Sequence, residues 1–195
     1  MNPMNTGPLM AVGALSLLAT AAALLLGPRV PALRRGVLLL DRVATGLAAI
    51  LACLALAVAF GAGLWQVIAR FATETPAIWS EALVRTALIW MTYLGLSVAL
   101  RAGALVAIDA AHRYSRGAVR RAVEAASLAA CLSLLGILLW FGWSMAERVQ
   151  FQEMAGLEVS MSWGYAALPI GAAFAILGAL AHFLDRNEGS LEDVA

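Results

Sequence analysis

With 195 residues, 63% of them hydrophobic, only 13% charged, and a mean hydropathy of +0.86, the chain has too little polar surface to cover a water-soluble globule of its length. A formal net charge of +1 excludes the strongly basic balance of a nucleic-acid binder. The apolar runs are continuous, and about 20 such residues in a helix cross a hydrocarbon core of about 30 Å, so the composition points to an all-α, polytopic membrane protein.

Five hydrophobic blocks follow one another. The first, about Leu9 to Leu26, is short, and the tail before it, Met1 to Pro8, has no basic residue, so a cleaved secretory signal is not expected. Its basic flank lies behind it, at Arg29, Arg34, Arg35 and Arg42, which would leave its N-terminus outside if it inserts. The second block, Val43 to about Val67, carries Ala55, Ala59 and Gly63 as a small-residue stripe that lets a neighbouring helix come close. Arg70 and a polar turn, Thr73-Glu74-Thr75-Pro76, close it.

The third block opens with Trp79-Ser80-Glu81 and Arg85 and runs through Trp90 to Leu100. Behind it stand Arg101, Arg113, Arg116, Arg120 and Arg121, offset by Asp109, and the positive-inside rule makes this loop cytoplasmic. The fourth block, about Ala122 to Met145, ends in Trp140 and Trp143, an aromatic belt. Glu147, Arg148, Glu153 and Glu158 then form a net acidic loop, expected outside. The fifth block, Trp163 to Leu184, presents Gly171, Ala175 and Ala179 on one face and leads into Asp185-Arg186 and an acidic tail, expected inside.

Few groups could carry chemistry. Ionisable residues are nearly absent from the centres of the blocks, where each would cost about 2.5 to 3.5 kcal/mol, and broken helices and repeated halves typical of a transport core are not evident. Glu81 and Arg85 sit four apart with the acid first, the favoured order on a helix. They read either as an interfacial anchor whose charges reach water and each other, or as a pair that contacts a partner protein or fixes a tilted helix against its neighbours. Asp109 and Glu124, set among arginines, read as charge balance. Cys53 and Cys131 lie within apolar runs as small hydrophobes. His112 and His182 raise a different class of function, a membrane anchor of a redox enzyme holding haem or quinone, although both are expected outside the bilayer interior.

Between about Leu40 and Leu184 the chain resembles the small membrane subunit of tripartite ATP-independent periplasmic (TRAP) transporters, the DctQ-like family. The matching elements are Gln66-Val67-Ile68-Ala69-Arg70, then Trp79-Ser80-Glu81 with Arg85, Trp90 and Gly95. Arg101-Ala102-Gly103 and Ile108-Asp109 follow, and finally Trp163-Gly164-Tyr165-Ala166-Ala167-Leu168-Pro169-Ile170-Gly171. Leu105 stands where the family often has histidine.

The resemblance implies four core membrane-spanning helices, with the block before Arg29 as an extra N-terminal hydrophobic helix. Residues 1–36 would then be a tail with that helix and a basic loop, 37–186 a four-helix membrane domain, and 187–195 an acidic tail. It further implies a non-catalytic scaffold of the bacterial inner membrane, without cofactor. Its partners would be a large sodium-coupled membrane subunit, a periplasmic substrate-binding protein that delivers an organic acid, and membrane lipids. The motif residues named above become candidates for partner contact or anchoring.

Overall fold

A computed structural model describes the backbone of residues 7–26, 31–72, 74, 77–103 and 118–192, and the side chains of residues 11–21, 35–72, 74, 77–103, 119 and 122–185. Expectations about Asp109, Leu105, His112, Arg113, Arg116 and Arg29 fall outside the described residues. The described chain is helical: α1 Gly7–Leu26, α2 Pro31–Ala72, α3 Ile78–Arg101, α4 Ala118–Arg148, the short α5 Ser162–Tyr165, and α6 Ala167–Glu192. Among the residues whose side chains are described, four stretches are long and apolar enough to cross a membrane, Arg35–Ala72, Ile78–Arg101, Ala122–Arg148 and Ser162–Asp185, and Ala11–Ala21 of α1 is a shorter apolar stretch. The all-helical fold with four spans and an added N-terminal helix is the one expected.

Two boundaries differ from expectation. The second block was expected to begin at Val43 behind a basic loop, yet α2 starts at Pro31 and includes Arg34, Arg35 and Arg42. From Pro31 onward the helix meets no proline, and Pro31 itself occupies the first position, where a missing N–H costs nothing. With 42 residues at 1.5 Å each, α2 is about 63 Å long, twice a hydrocarbon core. The fifth block is divided: α5 and α6 are separated at Ala166, because Pro169 has no N–H to offer the Tyr165 carbonyl. Helical bonding still passes through the break, as Ala166 N–H donates to Ser162 at 2.8 Å and Ile170 N–H to Ala166 at 3.2 Å.

The helices form a row. α2 packs on α3, α3 on α6, α6 on α4, and α4 on α1, with a further contact between α2 and α6. Small residues set the spacing. A Cβ on Gly171 would lie 2.5 Å from Tyr93 Cβ, and one on Gly178 would lie 2.8 Å from the Ser97 carbonyl oxygen, so α3 and α6 touch backbone to backbone. Gly171, Ala175 and Ala179 are buried, as the stripe predicts. Ala59 is buried as well, and Gly63 approaches Val84 of α3. The apolar core lies among Leu100, Leu128, Leu132, Leu135, Ala175 and Phe183.

α1 docks on α4. Ser16 Oγ and Ser133 Oγ are 2.7 Å apart, and Val12 fills the space that a Cβ on Gly136 would need. Moving forward along α1 from Val12 to Ser16 moves backward along α4 from Gly136 to Ser133, so the two helices are antiparallel.

Candidate functional site

Polar groups collect at the two ends of the row. At the end where α3 stops, the Arg101 guanidinium joins three helices. Its Nε donates to Asp41 Oδ2 of α2 at 2.7 Å, and its Nη2 donates to Asp185 Oδ2 of α6 at 2.9 Å. The other oxygen of Asp41 accepts from Thr45 Oγ1, one helical turn on, at 3.0 Å. Asp41 is 1% exposed, which only a full set of partners makes tolerable.

The chain leaves α3 through Gly103, at φ +69, a left-handed conformation that glycine adopts without strain. A Cβ there would lie 2.6 Å from Cε1 of His182. The His182 ring is half-buried, with Nδ1 placed 3.2 Å from the Arg101 carbonyl oxygen, one of the acceptors that a helix C-terminus leaves open. His182 is thus bonded to backbone at the end of α3.

At the opposite end, α4 passes into a loop that folds back on itself. Met154 N–H donates to Val159 at 2.8 Å, Met161 N–H donates to Gln152 at 2.7 Å, and Glu153 pairs with Ser160. Gly156, at φ +81, lets the loop reach the first turn of α3, since a Cβ there would fall 2.9 Å from the Trp79 nitrogen. Trp90 Nε1 donates to the Trp163 carbonyl at 3.0 Å and ties α3 to α5. Arg85 Nη2 donates to Glu81 Oε1 at 2.9 Å, with both side chains open to solvent at 73% and 63%.

Two hollows adjoin this pair. One, of about 370 Å³, runs between α3 and the folded loop and is lined by Glu81, Arg85, Thr86, Met154, Ala155 and Tyr165 among others. The other, of about 510 Å³, lies between the end of α2 and the start of α3 and is lined by Gln66, Arg70, Glu74, Ala77, Ile78 and Glu81.

The structure therefore gathers the motif residues into groups far apart in sequence. Gln66, Arg70 and Glu81 share one cleft, and Glu81, Arg85 and Tyr165 share another. Trp79 lies under the loop, and Trp90 and Trp163 are bonded. Pro169 is buried against Gly142 of α4, and Gly171 against Tyr93. Of the motif glycines Gly95, Gly103, Gly164 and Gly171, Gly95 alone has nothing within 4 Å of a Cβ placed there. The partners of Arg101 were not foreseen. Asp41 could have been suspected, because it lies two residues before a long apolar run on the same helix and has a hydroxyl at the fourth position beyond it.

Among the described residues no cluster of three or more His, Cys, Asp or Glu side chains suits a metal ion. What the arrangement provides is attachment: a polar tie across three helices, anchored on the buried Asp41, at the Arg-rich end, and an open charged pair between two clefts at the Trp-rich end.

Residues 59–188 match the protein family described as tripartite ATP-independent periplasmic transporters, DctQ component. The chain is also 28% identical over 112 residues to the sialic acid TRAP transporter small permease protein SiaQ of Vibrio cholerae serotype O1. That similarity takes in 57% of this chain and 65% of the length of the relative.

Proposed function

The chain belongs to the DctQ-component family of tripartite ATP-independent periplasmic transporters, and from that membership we propose that it serves as the small, non-catalytic membrane subunit of such a transporter. In this role it extends the static part of a large sodium-coupled subunit, which carries inward an organic acid captured by a periplasmic binding protein. The sialic acid named for the relative is itself an organic acid. The choice of solute rests with the two partners.

One observation carries the scaffold reading. Residues 43–69, 86–100, 125–146 and 162–184 contain no Asp, Glu, Lys or Arg. The helices in those stretches meet through Gly171, Gly178 and Ala175, a static packing device. A path for an anion or for sodium would need polar groups or opened backbone at this depth. The charges stand at the ends instead, where they fasten helices or face outward.

On this reading the Arg-rich end and the C-terminus are cytoplasmic. The folded loop at the Trp-rich end and the clefts around Glu81 face the periplasm, within reach of the binding protein. The exposed Glu81 and Arg85 pair and the uncovered backbone at Gly95 are the contacts offered to the large subunit.

The test is affinity purification of the tagged chain from native membranes in mild detergent, followed by mass spectrometry. A much larger multispanning subunit in stoichiometric amount is expected. Recovery of the chain alone, or together with a soluble dehydrogenase, would overturn the proposal.

A further inference from the structure

A groove of about 710 Å³ runs along one face of α2 at the Arg-rich end. Arg35, Leu38, Leu39, Arg42, Gly46 and Ala49 line it at the three- and four-residue steps of a single helix face. From position 35 to position 49 the helix advances about 21 Å, more than the roughly 15 Å of one hydrocarbon leaflet. The lining changes along that length: guanidinium groups stand at the head, and Gly46 and Ala49 form a shallow apolar floor further into the span.

The opposite wall holds Arg101 and Asp185, with Asp41 beneath. Three guanidinium groups against two carboxylates leave the groove net positive, and Arg101 already answers both carboxylates at 2.7 and 2.9 Å. The excess charge therefore sits with Arg35 and Arg42, both exposed. Leu39 is 66% exposed beside them, and a Cβ on Gly46 would meet nothing within 4 Å, so the apolar part is open.

We propose that this groove binds one anionic phospholipid, with its phosphate headgroup held by Arg35 and Arg42 and an acyl chain laid over Gly46 and Ala49. Charge complementarity selects an anion. The apolar continuation into the span selects an amphiphile over a free phosphate or an acidic protein segment, neither of which fills it. Basic pockets at the membrane boundary of helical proteins hold anionic lipids by the same combination.

The full chain, purified in mild detergent, is titrated with dioleoyl phosphatidylglycerol or dioleoyl phosphatidylcholine, and retained lipid is counted by native mass spectrometry. Tighter retention of phosphatidylglycerol is expected. Arg35→Gln with Arg42→Gln should weaken it about 25-fold, since each Arg near an anionic headgroup contributes about a factor of five. Gly46→Leu with Ala49→Leu fills the floor, leaves every charge in place, and should weaken retention about tenfold. Gly46→Leu alone serves if the double variant does not fold. Arg148→Gln, at the far end of α4, should change nothing.

Equal retention of the two lipids, or no loss in either groove variant, overturns the proposal. So does a loss confined to the arginine variant, which would mark an anion or acidic-peptide site in place of a lipid site.

Discussion

Replacing Arg101 with Met tests whether the three-helix tie governs stability. The substitution keeps much of the apolar stem and removes both ion pairs at once. The two halves differ in weight. Asp185 is 49% exposed, so losing its pair costs about 0 to 1 kcal/mol. Asp41 is 1% exposed, and leaving a buried charge without its partner costs about 3 to 5 kcal/mol. Met at position 101 should therefore destabilise the chain by about 3 to 5 kcal/mol, nearly all of it through Asp41. At a sensitivity of about 2 to 4 °C per kcal/mol, the melting midpoint should fall by roughly 6 to 20 °C.

Thermal unfolding of the purified chain in one detergent, followed by intrinsic tryptophan fluorescence, measures the shift. Asp185→Asn should move the midpoint by no more than about 4 °C, the upper end for an exposed pair. Combining Arg101→Met with Asp41→Leu should recover much of the loss, since no charge is then left buried. The reasoning is refuted if Met at position 101 costs no more than Asn at position 185, or if the double variant is less stable than the single one.

Glu81→Lys should leave the melting midpoint of the isolated chain within about 2 to 4 °C, because an exposed pair is worth about 0 to 1 kcal/mol. It should lower recovery of the large subunit in a pull-down; unchanged recovery would reduce the pair to a surface anchor. Gly171→Val places a side chain against the Tyr93 backbone and should cost about 3 kcal/mol or more by forcing α3 from α6, as read by melting. Gly95→Ala, with open space around it, should be neutral or stabilising by up to about 1 kcal/mol. Ser16→Cys with Ser133→Cys, whose parent hydroxyls are 2.7 Å apart, should form a disulfide under mild oxidation, visible as a shift on a non-reducing gel. Failure of that bond while each single variant labels readily with maleimide would dissolve the docking of α1 on α4.

What could be foreseen from the sequence is what depends on local order. Lipid forces each apolar run to satisfy its own backbone, so the helices announce themselves by length alone. The Glu81 and Arg85 bond was predictable because a helix brings positions four apart together. The break at Ala166 follows from Pro169, which removes a helical bond inside an otherwise continuous apolar run. The start of α2 differs from the start of its apolar run at Val43, because charged residues do not stop a helix and α2 extends back through Arg42, Asp41, Arg35 and Arg34 to Pro31.

The polar tie is of another kind. Arg101 meets Asp41 from 60 residues away and Asp185 from 84, and no periodicity links those positions. The resemblance singled out Arg101 and Gly103 without giving a reason for either. The structure supplies it: the arginine neutralises a buried acid of α2, Asp41, and the glycine turns the chain where the His182 ring leaves no room for a side chain. The two requirements meet within three residues, because the helix that must end there also holds the guanidinium that fastens its neighbours. A change at either position would therefore be felt by α2, α3 and α6 together, which is what a rigid support requires at the end from which its longest helix projects.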